Sequence, residues 1–433
     1  MKKAVLSNRI YLNVEDPDYV SYLDKHLTYK IQGYIEEAPP TIIKNLRKIR
    51  NTLYSIPAGR TDLIPSDYEV VDKRQLVPAD FPKSSLTLRE SQQEVYDNLN
   101  ENAVINAPPS WGKTFTATAI AGKLGQRTLV VTHTVALRQQ WEDEVYKMYG
   151  QKPGIIGSRK FEPNSFIVVG NIQTLVKHKT ALSKSFGTLI VDECHHIPAT
   201  TFNALVDSSY ARYKIGLSGT VERKDGRHVL LPDYFGYQRF TPPRENYMEP
   251  RVDIIRSNIR FMDGAGSPWA LRVNDLVSQN EYGELIALLA AAYRKNGHKV
   301  LVLSDRLIFL NRLYSTLGEN ISELITGEIT SIDERKRRIQ NILDEKKQIL
   351  LGTQSIFSEG ISINNLSCLI LATPVSNTPL LTQLIGRISR EHPGKHTPIV
   401  VDINLKGKTA ERQARLRLGH YMQEGYTINT INV

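Results

Sequence analysis

The chain is poor in cysteine: only Cys194 and Cys368 occur in 433 residues, and neither belongs to a Cys-x-x-Cys pair. A disulfide framework is thereby excluded, as is zinc-ribbon spacing, and no zinc is expected. Long apolar runs are missing too. The longest, Leu-Ile-Ala-Leu-Leu-Ala-Ala-Ala at 285–292, falls far short of the ~20 residues that cross a bilayer, so no membrane role is expected. The first residues, Met-Lys-Lys-Ala-Val-Leu-Ser-Asn-Arg, carry two lysines with no apolar stretch behind them. That pattern predicts no secretory signal and a cytoplasmic location. Acidic residues are the last shortage: 45 Asp and Glu against 55 Lys and Arg give a net charge of +10 and a pI near 9.3. The imbalance favours a polyanionic partner without identifying one.

What is present is enough chain for about three domains. Residues 1–84 hold no catalytic motif. The spacing of Ile43, Leu46, Ile49 and Leu53 predicts an amphipathic helix over 41–54, with Lys44, Arg47 and Lys48 on the neighbouring face. Such a face either neutralises a run of phosphates or is merely solvated. Pro78-Ala-Asp-Phe-Pro-Lys-Ser-Ser85 then breaks the periodicity. Residues 1–84 read as a small accessory domain, with duplex DNA as a candidate ligand.

From Leu86 onward, helical periods alternate with short β-branched runs, the pattern of an α/β parallel sheet. Strands are predicted at 103–106, 128–132, 166–170, 188–191 and 214–217, within a domain spanning 85–248. After the first strand comes Ala107-Pro108-Pro109-Ser110-Trp111-Gly112-Lys113-Thr114, opening into a helix-forming run. A strand, a tight loop ending in Gly-Lys-Thr and a helix N-terminus make a phosphate cradle. In it Lys113 would meet the outer phosphates and the Thr114 hydroxyl would help hold Mg²⁺. The first glycine of such loops is replaced by Ala107, and the two prolines remove backbone donors. A plain strand-to-helix turn is the alternative. The strand at 188–191 runs into Asp192-Glu-Cys-His-His196, two carboxylates at the C-terminal strand end where open α/β sheets bind ligands. Asp192 would position Mg²⁺, and Glu193 would orient and deprotonate a water attacking the γ-phosphate.

Residues 249–280 lack a clear period and include Gly264-Ala-Gly-Ser-Pro268, so they are expected to link or insert between domains. A second alternating unit is expected over 281–433. It would have a helix at 281–295, strands at 299–303, 348–351, 368–372 and 398–401, and a helix opened by the capping box Ser331-Ile-Asp-Glu334. Gln383-Leu-Ile-Gly-Arg-Ile-Ser-Arg390 places Arg387 and Arg390 three apart, a spacing that puts both on one helix face.

The order of these signals resembles the superfamily 2 helicases over residues 86–402. Leu88-Arg-Glu-Ser-Gln92 is similar to their adenine-reading glutamine motif, the 107–114 loop to their phosphate loop and Asp192 to His195 to the DExH box. Leu217-Ser-Gly-Thr220 is similar to the coupling motif, Gly352 to Ile361 to the fifth motif and Gln383 to Arg390 to the sixth. The segment Gly219-Thr-Val-Glu-Arg-Lys-Asp-Gly226 resembles the branch that includes XPB and the phage UvsW helicases, with Gly219 in place of the usual alanine. The resemblance implies two tandem RecA-like domains closing on ATP and Mg²⁺. Gln92 and Gly360 would contact nucleotide, Arg387 and Arg390 would act as arginine fingers, and Ser218, Thr220 and Gln383 would couple the two sites. Thr132, Gln173 and Thr353 would face the nucleic acid. It also implies a monomeric 3′ to 5′ motor on forked or four-way DNA, in the host cytoplasm if phage-encoded. A DExH RNA helicase and an ATP-gated clamp without turnover are the alternatives. Glu193, Arg387 and Arg390 argue against the clamp.

Overall fold

The β-branched runs become strands because extended backbone lets their stiff side chains pack on a pleated surface. The computed structural model describes residues 2–31, 40–196, 200–219, 226–263, 267–329, 331–358, 363–375 and 377–433. It divides into two units, Met1–Arg244 and Glu245–Val433.

The first unit begins with a small sheet of order β5-β6-β2-β1-β7. Its strands are β1 (Lys3–Leu6), β2 (Arg9–Asn13), β5 (Arg47–Arg50), β6 (Leu53–Pro57) and β7 (Glu69–Asp72), and β3 (Thr28–Ile31) pairs separately with β4 (Thr41–Lys44). Helix Pro17–His26, capped by the Asp16 side chain, covers a core of Ala4, Leu6, Ile10, Leu12, Leu23, Leu27 and Ile56. The helix expected over 41–54 is absent; three strands occupy that stretch. Thr41-Ile-Ile43 favours extended chain, and Asn51, at φ 39°, turns β5 back onto β6. The apolar residues at helical spacing therefore scatter. Ile43 packs on the adjoining larger core and Leu46 on the small one, while Ile49 is exposed.

Next comes an eight-stranded sheet of order β11-β10-β12-β9-β13-β14-β8-β15. Its strands are β8 (Ala103–Asn106), β9 (Thr128–Thr132), β10 (Gly154–Gly157), β11 (Lys160–Phe161), β12 (Ile167–Asn171), β13 (Thr188–Val191), β14 (Tyr213–Ser218) and β15 (Arg239–Phe240). All pairs are parallel except β10 with β11. Helices Lys113–Leu124 and Val135–Tyr149 bury Ile120, Trp141 and Val145 beneath β8 and β9. The parallel arrangement collects the loops after β8, β9, β12 and β13 at one end of the sheet.

The second unit holds a seven-stranded, wholly parallel sheet of order β18-β19-β17-β20-β21-β16-β22. Its strands are β16 (Arg251–Arg260), β17 (Val300–Leu303), β18 (Ser322–Ile325), β19 (Ile349–Gly352), β20 (Cys368–Leu371), β21 (Ile399–Lys406) and β22 (Thr427–Asn432). The expected linker at 249–280 is thus corrected: it supplies β16, inside the sheet, and helix Trp269–Ser278. Asp253 interrupts the apolar run of β16 and is buried, with Arg251, Tyr293 and Asn429 all donating to it.

Candidate nucleotide site and motor motifs

The loop after β8 is held from below. Trp111 is fully buried and its indole N–H donates to Ser91 Oγ at 2.8 Å. Its carbonyl accepts from Gln92 Nε2 at 2.8 Å and from the Arg89 guanidinium. The amide of Gln92, expected to read a base edge, is buried here and spent on the loop: its Oε1 accepts from the Arg89 N–H at 3.0 Å. Gly112, at φ 95°, caps helix Lys113–Leu124, and a Cβ there would lie 2.6 Å from Gln92 Nε2, so only glycine fits. Ser110 is also left-handed, at φ 73°. Pro108 keeps a use despite its missing donor, since its carbonyl accepts from Trp111 N at 3.3 Å, and Pro109 completes that turn. Ala107 N donates to Ser218 O at 3.1 Å, fastening the loop to β14. Lys113 folds back to donate to Ala107 O at 3.0 Å. It heads the helix with Thr114 beside it, where first-turn N–H groups have no intrahelical acceptor.

Two strands away, β13 delivers Asp192 and Glu193. Asp192 is buried, and each of its oxygens takes one hydrogen bond: Trp141 Nε1 donates to Oδ2 at 2.9 Å and Glu193 N to Oδ1 at 3.0 Å. Burial pushes its carboxyl pKa up and the neighbouring Glu193 adds to this, while the Trp141 N–H and Lys113 oppose it. Glu193 sits at φ 47°, and its buried Oε2 has no hydrogen-bond donor among the described residues, although His195 Nδ1 lies 3.3 Å away. His195 Nδ1 also lies 2.9 Å from Ser218 Oγ, which links the carboxylate pair to the coupling motif. Cys194 packs in the core, where burial drives its thiol pKa far up, so it is a structural residue. Thr220, Gly360 and most of the 219–226 segment lie outside the described residues, as does the His196 side chain. Trp141, which holds the Asp192 carboxylate, is the site neighbour that the sequence did not single out. Its place seven residues after Thr134, the N-cap of its helix, was the available signal.

The nucleic-acid candidates fare unevenly. Thr132 is fully buried, its hydroxyl donating to Gly170 O at 3.3 Å, so its side chain is no surface contact. Gln173 is exposed, with Nε2 donating to His133 O at 3.4 Å, and Thr353 is half-buried at the end of β19. Lys44 pairs with Asp24 at 3.2 Å, Arg47 with Asp207 at 2.7 Å, and Lys48 lies over the Tyr54 ring. These three form no common helical face.

In the second unit, Gln383 and Arg387 lie on helix Thr378–Ile388, and Arg387 Nε donates to Phe357 O at 2.7 Å. Arg390 follows the C-cap Ser389, so the expected single helix face is corrected: the helix ends before it. Its guanidinium donates to Asn364 Oδ1 at 3.1 Å, and burial lowers its pKa. Lys395 Nζ holds the Arg390 carbonyl at 2.7 Å; burial and Arg390 push that lysine's pKa down to about 7.

The oxygens of Thr114 and Asp192 are hard donors of the kind Mg²⁺ takes. Among the described residues, no cluster of three or more His, Cys, Asp or Glu side chains could hold a metal.

A glycine-capped lysine loop and a carboxylate pair at the C-terminal ends of parallel strands of one sheet are an arrangement suited to holding and hydrolysing a nucleoside triphosphate. Two family profiles match in the same order: "Type III restriction enzyme, res subunit" at 85–223 and "Helicase conserved C-terminal domain" at 281–392. The chain is 42% identical to "Probable helicase D10" of Escherichia phage T5, over 99% of this chain and 96% of that one. It is 24% identical to the "ATP-dependent DNA helicase uvsW" of Enterobacteria phage T4, over 76% and 72% of the two chains. The solved structure of S. cerevisiae Dbp5 bound to RNA and ADP BeF3 shares the two-domain fold, with a TM-score of 0.55 at 13% identity, covering 79% of this chain and 89% of that one. The chain belongs to the superfamily 2 helicases, on the branch of UvsW and XPB, and it is an ATP-hydrolysing helicase.

Proposed function

We propose that this helicase is a DNA translocase that moves 3′ to 5′ on forked or four-way junctions, driving branch migration or fork reversal as a monomer in the cytoplasm. The observation that carries the motor reading is Glu193, whose buried Oε2 lies 3.3 Å from His195 Nδ1 at the same end of the sheet as the lysine loop. Such an oxygen suits a base awaiting a water. The names of relatives divide between DNA helicases and putative RNA helicases, and DNA is preferred here because the 219–226 segment resembles the branch of XPB and UvsW.

In this reading Lys113 and the first helical turn bind the outer phosphates, and Glu193 accepts the proton of the attacking water. Thr114 and Asp192 would hold Mg²⁺, which when bound neutralises phosphate charge. Trp141 and the Glu193 N–H fix the Asp192 carboxylate. Arg387 and Arg390 are the groups proposed to meet charge developing on the γ-phosphate. His195 and Ser218, with Thr220 and Gln383, would pass the state of that site to the strand-contacting surface. Binding would rest on phosphate contacts, with little sequence preference and strong salt dependence.

The test is ATP turnover at one salt concentration with no nucleic acid, single-stranded DNA, duplex, four-way junction and RNA. Strongest stimulation by the junction is the expected result. Stimulation by RNA alone would move the assignment to RNA helicases, and no turnover with any would favour a clamp.

A further inference from the structure

β10 and β11 form a hairpin that none of the motor motifs uses. Its two turn residues, Ser158 and Arg159, both have positive φ, at 50° and 66°. Two-residue hairpins commonly place Asn-Gly there, because residues carrying a Cβ rarely adopt that conformation. The turn is nevertheless fixed. Buried Arg138 donates to Ser158 Oγ at 3.0 Å, Asn171 Oδ1 at 2.9 Å and Glu142 Oε1 at 3.1 Å.

The rigid turn presents a particular surface. Phe161 is 50% exposed and belongs to none of the buried clusters. Its ring centroid lies 4.9 Å from that of exposed His178. Arg159 and Lys160 precede Phe161 and Lys177 precedes His178; all three are exposed and form no ion pair among the described residues. The one carboxylate beside the hairpin, Glu162, is exposed, and its Oε2 accepts from Ile155 N at 3.0 Å. The turn follows the C-terminal end of β10, the same end of the sheet as Lys113 and Glu193. Four strand steps separate β11 from β13, about 19 Å at ~4.8 Å per step.

We propose that Phe161, backed by His178, is a base-stacking post for a single nucleic-acid strand, with Arg159, Lys160 and Lys177 meeting its phosphates. An exposed aromatic with exposed cations next to it and to its histidine partner in the chain is complementary to a strand that offers both π-faces and negative charge. Set rigidly in the first motor domain, the post would part a base pair as duplex is drawn past it. The inference rests on the nucleic-acid motor reading above and adds the residue that engages the base.

The experiment measures binding of fluorescent single-stranded DNA and RNA oligomers to full-length wild type, Phe161→Ala, Phe161→Trp and Lys160→Ala across a salt series. Phe161→Ala should weaken binding of the preferred strand about tenfold without changing the salt slope. Lys160→Ala should reduce that slope by about one. Phe161→Trp should retain affinity, and its indole fluorescence should be quenched by the strand. Thermal midpoints equal to wild type are expected, because Phe161 lies outside the core. Wild-type affinity in Phe161→Ala would overturn the post while leaving the motor reading intact. Preference of the wild type for RNA would overturn the DNA assignment alone, and binding of neither strand would overturn both.

Discussion

The indole N–H of Trp141 donates to Oδ2 of Asp192 at 2.9 Å, and both side chains are buried. A helix packed beneath the sheet thereby sets the orientation of the carboxylate proposed to hold Mg²⁺. Trp141→Phe keeps the ring in its pocket and removes only that bond. Loss of such an outer-shell partner costs about 10- to 100-fold in metal affinity or activity. ATP turnover measured against Mg²⁺ concentration should therefore show a requirement raised about tenfold. An unchanged requirement would mean that packing alone orients Asp192.

Gly219 borders Lys113. A Cβ built on Gly219 would lie 3.3 Å from Lys113 Nζ and 3.8 Å from Ala107 O, so the missing methyl leaves room for the amino group to swing. Gly219→Ala should be tolerated, because the lysine tip is flexible. Gly219→Val should weaken ATP binding about tenfold, the loss of roughly one charge-assisted hydrogen bond. Titration with a fluorescent ATP analogue measures both. Equal affinity in the valine variant would show that Lys113 does not need that space.

Lys214, in β14, is 2% exposed, and its Nζ donates to a single acceptor among the described residues, Val206 O at 3.2 Å. Burial pushes its pKa down to about 8, with Arg74 and Arg9 contributing and Asp207 opposing. The unfolded chain keeps this proton up to about pH 10, so between about pH 8 and 10 it binds more protons than the folded one, and stability rises with pH. Below that window the full cost of the buried charge applies, on the order of 3 kcal/mol. Lys214→Met should stabilise the protein at pH 7 by about 1–2 kcal/mol, since the Val206 carbonyl loses its donor. It should also abolish the rise. Urea midpoints at pH 7 and pH 9.5 check both.

Much of this site was legible because its parts are local. The strand at 103–106, its loop and Lys113 are contiguous, and the runs at 128–132 and 188–191 are apolar because parallel strands are covered on both faces. What failed depended on distant partners. β16 needed Tyr293 and Asn429 to make Asp253 acceptable inside, and neither is near it in sequence. The 41–54 stretch carried helical spacing by coincidence, while its apolar residues serve two different cores. Arg390 lay two residues beyond the last residue of its helix, and the position of a helix end is poorly marked in sequence. Trp141 met Asp192 through the fold alone, 51 residues apart.

The small N-terminal sheet is fastened to the first motor domain by buried charge. Asp233, 1% exposed, accepts from Tyr29 Oη at 2.7 Å, from Asn45 Nδ2 and from Arg60 at 3.4 Å. Arg9, equally enclosed, pairs with Asp207 at 2.8 Å. At the same seam Gly59 N donates to Asp233 O at 3.0 Å, and a Cβ on Gly59 would fall 2.2 Å from Pro232 O. Removing one partner of a buried ionic cluster costs about 3–5 kcal/mol, because the remaining groups stay desolvated. Asp233→Ala should lower the stability of the first unit by about that amount in urea unfolding, with signals from the tyrosine-rich small sheet and from Trp141 moving together. If the variant instead gives two separated transitions, the small sheet folds by itself. The buried charges would then hold the two parts together without joining them into one cooperative unit.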